Sequence, residues 1–258
     1  MESIKIQKYF TDCGVMSRRA AEAEIAKGNV RINGEVARLG DRMTPEVDSI
    51  TYLGKAIEMP KFKKNVYIML NKPRGYLTTM SDDRGRATVA ELVADVGERV
   101  YPVGRLDMDS EGLLLLTNDG ALALKLTHPR HEIPKIYHVR VGGAVSRDVL
   151  KKLNSPMEID GYKLMPVKTE LISVKGDYSV LRMTLFEGRN RQIRKMCESV
   201  ELEVLKLARI AIGDLKLGDL APGKWRYLTR AQVEYLKSSG GSSYRSNTKN
   251  KVKKTEHN

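Results

Sequence analysis

The sequence predicts an α+β protein in which a small α/β unit precedes a larger domain with a mixed, mostly antiparallel sheet. The first observation is the Asn33–Gly34 pair between two short apolar runs, a strong hairpin signal. The second is that strand candidates outnumber helix candidates beyond residue 65, without the regular alternation of βαβ units. The predicted boundaries are 1–60 for the small unit, 61–64 for a linker, 65–237 for the larger domain and 238–258 for a disordered basic tail.

The helices of the small unit are predicted from an apolar repeat and from capping residues. The first helix carries apolar residues at i, i+3, i+4 and i+7, namely Ile6, Tyr9, Phe10 and Cys13. Gly14 is positioned to end this helix, and Ser17 to cap a second helix over 18–27, which Gly28 ends. Two helices and a few strands therefore form a compact unit ahead of the linker.

The larger domain is predicted to contain six main strands and five helices. The strands are 66–70, 100–103, 113–117, 136–141, 180–186 and 204–209, and the helices are 89–96, 121–126, 147–153, 191–200 and 230–237. The longest apolar run, 113–116, is far shorter than the roughly 18 residues of a membrane helix, so it indicates a buried strand. With no apolar export signal at the start, we expect a cytoplasmic protein without a membrane partner.

The distribution of charge favours an anionic partner for the larger domain. The chain of 258 residues has a formal net charge of +13. Residues 1–60 hold nine basic and nine acidic residues and the tail has a net charge of +4, which leaves +9 for the middle of the chain. Such an excess favours nucleic acid, because each phosphate contact releases counterions; solubility alone is the alternative.

The cysteines and histidines do not form a metal site by their spacing. The two cysteines are too few for a disulfide framework or a zinc site. The four histidines also lack the spacing of metal ligands: His128, His131, His138 and His257. We therefore expect no metal site built from these residues.

A loop between two predicted strands carries three carboxylates at alternate positions: Asp107, Asp109 and Glu111. They could form a metal site, although hard cations usually take oxygen ligands from more of a fold. We expect Asp109 and Glu111 to be ordinary solvated loop acids. Asp107 differs because Arg105 precedes it by two residues, and a carboxylate near an arginine keeps its charge and can act as a nucleophile.

A second segment, 187–196, predicts a helix with one buried face and one basic stripe. Arg191, Arg194 and Lys195 fall on the stripe, at i, i+3 and i+4. A helix start with free N–H groups and nearby cations suits a phosphate, and a solvated basic face is an equally good alternative.

Two weaker segments complete the candidate site. Tyr137 in Lys135–Val141 shares a strand face with Val139, so it points to the core or to a cleft, and packing is the default role. The segment Asn71–Tyr76 turns sharply after a buried strand.

The first unit resembles a known RNA-binding module. The segment "IQKYFTDCGVMSRRAAEAEIAKGNVRINGEV" is similar to the RNA-binding domain named after small-subunit ribosomal protein S-four, which precedes catalytic domains in several RNA-modifying enzymes. It shares the adjacent arginines that open a helix, the Gly-x-Val and the Asn-Gly hairpin. The resemblance implies that Arg18, Arg19 and Arg31 bind RNA, whereas solvated helix charges are the alternative.

The larger domain resembles the pseudouridine synthases of the RsuA/RluB type, which act on ribosomal RNA. The motifs that carry the resemblance are Asn71-Lys72-Pro73-x-Gly75, Gly104-Arg105-Leu106-Asp107, Lys135-x-Tyr137 and Gly188-Arg189-Asn190-Arg191-Gln192-Ile193-Arg194. With the first unit, the resemblance covers residues 4–236. It implies an enzyme that isomerises one uridine of large-subunit (23S) rRNA without a cofactor; small-subunit (16S) rRNA is the alternative substrate. A monomer is the default expectation.

The same resemblance assigns roles to single residues. It implies that Asp107 is the essential catalytic carboxylate and that Arg194 pairs with it. It also implies that Tyr137 stacks on the uracil and takes part in removing the C5 proton. Arg105 is implied to enter the RNA and fill the space of the target base. The residues expected to bind RNA are Arg105, Arg18, Arg19, Arg31, Lys72, Arg189, Arg191 and Lys195.

Two other classes of function remain open from the sequence alone. A non-catalytic ribosome-assembly factor would share the basic composition and the S-four-like unit, but it gives no reason for Asp107 beside Arg105. A metal-dependent nuclease would use the three loop carboxylates.

Overall fold

The computed structural model describes residues 2–60 and 64–238, in two units that divide between Lys64 and Asn65. The predicted linker, apart from residue 64, and the predicted tail, apart from residue 238, lie outside the described residues. Among the described residues, no helix has the length and apolar character to cross a bilayer. The S-four-like identity of the first unit stays a prediction.

The first unit contains the two predicted helices and the predicted hairpin, together with a pair of short strands at Ile4–Lys5 and Arg42–Met43 that was not predicted. Its elements are β1 (Ile4–Lys5), α1 (Ile6–Asp12), α2 (Arg18–Ala26), β2 (Val30–Ile32), β3 (Glu35–Val36), β4 (Arg42–Met43), β5 (Ile50–Tyr52) and β6 (Lys55–Ala56). The Ser17 hydroxyl accepts a hydrogen bond from the backbone N of Ala20 at 3.1 Å, as expected of a helix cap. Asn33 and Gly34 have φ of 51° and 88°, the left-handed backbone that a tight hairpin turn requires.

The second unit contains the larger sheet. Its strands are β7 (Tyr67–Lys72), β8 (Tyr101–Val103), β9 (Glu111–Thr117), β10 (Lys135–Gly142), β11 (Glu158–Ile159), β12 (Tyr162–Lys163), β13 (Lys168–Lys175), β14 (Tyr178–Leu185), β15 (Val204–Ile212), β16 (Leu215–Lys216) and β17 (Trp225–Tyr227). Its α-helices are α3 (Val89–Leu92), α4 (Gly120–Thr127), α5 (Arg147–Leu153), α6 (Gln192–Glu198) and α7 (Arg230–Ser238). Short 3-10 helices cover Ala94–Val96 and Pro129–His131.

The main sheet has the order β13-β14-β10-β15-β9-β7-β17, with β8 on β9 and β16 on β15. Every pairing in it is antiparallel except that of β15 with β9. The predicted α+β class with a mostly antiparallel sheet is therefore confirmed. The parallel pairing sets Arg209 opposite Gly112, which brings the carboxylate loop against the middle of β15.

Both faces of the sheet are covered near β9, because Leu113 and Leu115 contact one core and Leu114 and Leu116 the other. A strand buried on both faces reads as a continuous apolar run, as predicted for 113–116. Residues of α3, α5 and α6 lie around the core that contains Leu114 and Leu116, and residues of α4 and α7 lie around the core that contains Leu113 and Leu115.

Two elements near the site were missed. The β11–β12 hairpin turns at Asp160 and Gly161, both with positive φ, and an Asp-Gly pair is a hairpin signal that should have been used. Strand β13 was missed because its alternation is broken by a register shift between Leu171 and Ser173, and both Leu171 and Ile172 are exposed.

Gly112 is required by the approach of two strands, and its replacement is a test of the fold. Its φ is +103°, and an added Cβ would lie 2.8 Å from the backbone N of Arg209 and closer still to its carbonyl O. We expect Gly112→Ala to lower the free energy of unfolding by at least about 3 kcal/mol, from backbone strain and overpacking together.

The matched control is Gly143→Ala, because Gly143 has a φ of +71° with no atom within 4 Å of the added Cβ. This control carries the backbone strain alone and should cost about 1–2 kcal/mol. Urea unfolding of both variants makes the comparison, and equal losses would contradict the close packing of β9 on β15.

Candidate active site

A cleft of about 280 Å³ opens where the carboxylate loop, β10, β15 and the segment before α6 meet. This volume is near the lower end of the roughly 300–1,000 Å³ of small-molecule sites. The cleft is lined by Arg105, Leu106, Asp107, Ser110, Tyr137, Leu185, Gly188, Arg189, Asn190, Arg191, Gln192, Ile193 and Leu207. Five predicted site residues thus come together from three distant parts of the sequence.

Asp107 differs from the other two loop carboxylates. Its side chain is 31% exposed, and its carboxylate oxygens accept no hydrogen bond from any residue that the structure describes. The cation nearest to it is Arg191, whose Nη1 lies 3.9 Å from its Oδ2. The expected neighbour Arg105 lines the same cleft, but within the described residues its guanidinium makes no ion pair. The carboxylate therefore faces the cleft without a tight partner.

Lys72 holds this loop from behind, which corrects its predicted role in RNA binding. The side chain is fully buried, and its ammonium donates hydrogen bonds to the carbonyls of Pro73 at 3.1 Å, Asp107 at 3.0 Å and Ser110 at 2.8 Å. Burial lowers the pKa of Lys72 to about 8, although the charge of Asp107 opposes that shift. A lysine with no exposed surface cannot reach an RNA phosphate.

Asp109 and Glu111 are not the solvated acids that we expected. Asp109 Oδ2 lies 3.1 Å from Nη1 of Arg191 and 3.2 Å from Nε of Arg194, and Glu111 pairs with Lys206 at 2.7 Å. Burial alone would raise the pKa of Asp109, but the hydrogen bond from Arg191 and the charge of Arg194 outweigh it and lower that pKa. Both carboxylates are already neutralised by protein cations, so nothing here favours the metal-nuclease alternative.

Arg194 is the second correction, because it pairs with Asp109 and not with Asp107. Its Nη2 donates to the Asp109 carbonyl at 3.0 Å and its Nη1 to the Val204 carbonyl at 3.3 Å, while its Nε meets the Asp109 carboxylate in ion-pair but not hydrogen-bond geometry. Arg194 does not line the cleft. It thus connects α6 to the loop and to β15.

The predicted basic stripe is largely engaged by acids. Arg191 precedes α6 with φ of 51° and contacts Asp109, and Lys195 pairs with Asp160 of the β11–β12 turn. Arg189 pairs with Glu187 at 3.1 Å. Binding of RNA phosphates by these three cations stays a prediction, and a phosphate would have to compete with the carboxylates.

Tyr137 forms part of the apolar wall of the cleft. It lies on β10 opposite Met183 of β14 and Arg209 of β15, and only 9% of it is exposed. Leu185, Ile193 and Leu207 line the same cleft. Tyr137 therefore packs in the core and also lines the cleft, the two positions that were expected as alternatives.

Arg209 is a site residue that the sequence did not indicate. It is buried under the loop, where its Nε donates to the Leu113 carbonyl at 2.7 Å and its Nη1 to the Arg105 carbonyl at 3.4 Å. Its Nη2 is buried with no partner among the described residues. The only sequence signal is an arginine in an apolar strand, which a solvent-facing side chain would explain as well.

Comparisons with known proteins show the family of the chain. Residues 66–199, which include the loop, Tyr137 and α6, match the family described as RNA pseudouridylate synthase. The chain is 42% identical to an RNA pseudouridine synthase of Aquifex aeolicus over 246 residues, covering 95% of this chain and 98% of the relative. It is 40% identical to the ribosomal large subunit pseudouridine synthase B of Bacillus subtilis over 237 residues, covering 91% and 96%.

A solved structure has the same fold over most of the chain. The crystal structure of a pseudouridylate synthase superposes with a TM-score of 0.63 at 28% identity, covering 90% of this chain and 99% of that one.

Proposed function

Because the chain belongs to the RNA pseudouridylate synthase family and therefore isomerises uridine in RNA, we propose that its substrate is 23S rRNA and that Asp107 is the catalytic carboxylate. The similarity to the large-subunit enzyme of Bacillus subtilis over nearly the whole chain supports the choice of rRNA. The proposal entails a cytoplasmic enzyme, and its action as a monomer stays a prediction.

The role of Asp107 is supported by one observation: it is the loop carboxylate without a close ion pair to a described residue. Of the three loop carboxylates, Asp109 and Glu111 are held in close ion pairs, whereas the nearest cation to Asp107 is 3.9 Å away. Lys72 and Arg209 fix the surrounding backbone through four loop and strand carbonyls and add buried positive charge behind it. A carboxylate that lies at the cleft wall on a fixed backbone, with only a distant cation beside it, suits attack on, or charge stabilisation at, a reacting carbon.

The reaction explains what the cleft must hold. The N1–C1′ bond of uridine breaks, the uracil turns, C5 bonds to C1′, and the C5 proton leaves while N1 gains one. The change is redox-neutral, so it requires no redox cofactor. In our proposal the carboxylate of Asp107 lies against C1′ and the ring of Tyr137 stacks on the uracil.

The uridine must leave its helix before it enters the cleft, at a cost of a few kcal/mol. The exposed guanidinium of Arg105 at the cleft is suited to fill the space that the base leaves. Contacts to phosphates would offset the remaining cost.

The direct test of the substrate uses transcripts of both rRNAs labelled with tritium at C5 of uridine. Isomerisation replaces the C5–H bond by C5–C1′, so tritium is released to water. We expect about one equivalent of tritium per 23S transcript and none from 16S. Release from 16S alone would establish the alternative substrate, and strand cleavage without release would contradict a synthase.

The first unit is proposed to tether the enzyme to the rRNA through Arg18, Arg19 and Arg31, all of which are exposed. Changing all three to Glu should weaken binding to 23S rRNA several-fold and lower the salt dependence of log K by roughly two, because about three phosphate contacts are lost. The matched control changes the three to Lys, which keeps the charge and should bind nearly as well. If the Glu variant bound 23S rRNA as tightly as the wild type at each of two salt concentrations, the tether would be contradicted.

A further inference from the structure

A second hollow adjoins the catalytic cleft and is unused by the reaction described above. It has a volume of about 240 Å³ and lies beside the β11–β12 hairpin. Arg189, Asn190 and Gln192 line both hollows, so the two share one wall. The two hollows are therefore direct neighbours.

The outer wall of the second hollow is aromatic. Tyr162 is 56% exposed, and the guanidinium carbon of Arg189 lies 4.4 Å from the centre of its ring. Arg189 is held in this place by the carboxylate of Glu187. An exposed aromatic ring with an arginine plane beside it is the arrangement on which proteins stack unpaired bases of RNA.

The shared wall offers polar groups for the edge of a base. The side chain of Asn190 is exposed and makes no hydrogen bond to any described residue, so its amide can both donate and accept. Gln192 is fixed instead, because its amide nitrogen donates to Glu187 and its amide oxygen accepts from the backbone N of Arg189.

The hairpin that presents Tyr162 is anchored rather than loose. Asp160 in its turn pairs with Lys195 of α6, and the backbone N of Met165, just after the hairpin, donates to Glu187 at 2.9 Å. Ile159 and Leu164 pack against the core that contains Leu114 and Leu116. The hollow is lined by the carboxylate of Asp160 and the amides of Asn190 and Gln192 around the ring of Tyr162. These groups favour a neutral base over a phosphate.

We propose that Tyr162, Arg189 and Asn190 form a subsite for the base of the nucleotide adjacent to the target uridine. The base stacks on the Tyr162–Arg189 pair, and Asn190 bonds to its edge. This inference rests on the proposed function, because only a single-stranded or splayed RNA segment presents such a base. It makes the hairpin a determinant of the sequence that the enzyme accepts.

The test uses the shortest 23S fragment that keeps full tritium release. Tyr162→Ala should weaken its binding roughly 5- to 50-fold, the range expected for one stacked base, and Tyr162→Phe should restore it. Asn190→Ala, which removes no side-chain hydrogen bond within the described part of the protein, should weaken binding less, by about 3- to 10-fold. The matched control is Tyr178→Ala, because Arg140 covers that ring at 4.3 Å outside both hollows.

A cycle with altered RNA separates stacking from a structural effect. Removing the base on one side of the uridine, and not on the other, should weaken binding to the wild type by more than Tyr162→Ala does, because the contact with Asn190 is lost as well. In the Tyr162→Ala variant the same removal should cost much less than it does in the wild type. Independent effects at both neighbouring nucleotides, or equal affinity of Tyr162→Ala and Tyr178→Ala, would overturn the subsite alone. Absence of tritium release by the wild type from either rRNA would instead overturn the proposed function.

Discussion

Asp107→Asn is expected to abolish isomerisation while leaving the binding of rRNA nearly unchanged. Asparagine keeps the shape of the side chain but removes its charge, and the carboxylate makes no hydrogen bond that the fold depends on among the described residues. We therefore expect kcat/KM to fall by at least about 10³-fold, as when a nucleophile is removed from an enzyme. Tritium release and the Kd for the same 23S fragment measure the two quantities.

The matched control is Glu111→Gln, which removes one negative charge from the same segment. Glu111 pairs with Lys206 at the start of β9, and such a partly exposed pair contributes about 0–1 kcal/mol to stability. Activity of this control should remain within a few-fold of the wild type. If Asp107→Asn retained activity and Glu111→Gln lost it, the catalytic carboxylate would be misassigned.

Lys72→Met is expected to cause the second largest loss, through the position of Asp107 rather than through contact with RNA. Methionine has a similar length and no donor, so the carbonyls of Pro73, Asp107 and Ser110 lose the ammonium that holds them. A displacement of about 1 Å in a reacting group costs roughly 10²-fold in rate, and we expect at least this loss in kcat. Removal of a buried lysine also relieves its desolvation, so the loss of stability should be smaller than three broken hydrogen bonds suggest.

Hydrogen exchange distinguishes this positioning role from a general loss of structure. In the Lys72→Met protein, amides of residues 104–111 should exchange faster, while those of β10 and β14 keep their protection. A variant with full activity and an unchanged loop would contradict the role of Lys72. Faster exchange throughout the second unit would show that Lys72 acts on the fold as a whole.

The fold was predictable where a pattern depends on local chemistry. The cap at Ser17, the turn at Asn33–Gly34 and the doubly buried run 113–116 are all properties of short segments. Strand β13 was missed because edge exposure and a register shift erase its alternation. The parallel pairing of β15 with β9 depends on chain segments about a hundred residues apart, which no short pattern contains.

The sequence predicted several residues of the candidate site but not which residues contact one another. The cleft brings Asp107, Tyr137 and Arg191 together, but the sequence could not tell which acid each arginine meets. Asp107 and Asp109 are only two residues apart in one loop. Which of the two carboxylates meets Arg194 therefore depends on the direction in which the loop points each side chain. The sequence also did not indicate burial, because lysine and arginine are usually exposed, whereas Lys72 and Arg209 are buried in the fold.

The central claim is tested most directly by mapping pseudouridine in both rRNAs of the source organism after deletion of this gene. We predict that one pseudouridine disappears from the large-subunit rRNA, that the wild-type gene restores it, and that a gene carrying Asp107→Asn does not. An unchanged map after deletion, or restoration by the Asp107→Asn gene, would contradict the account.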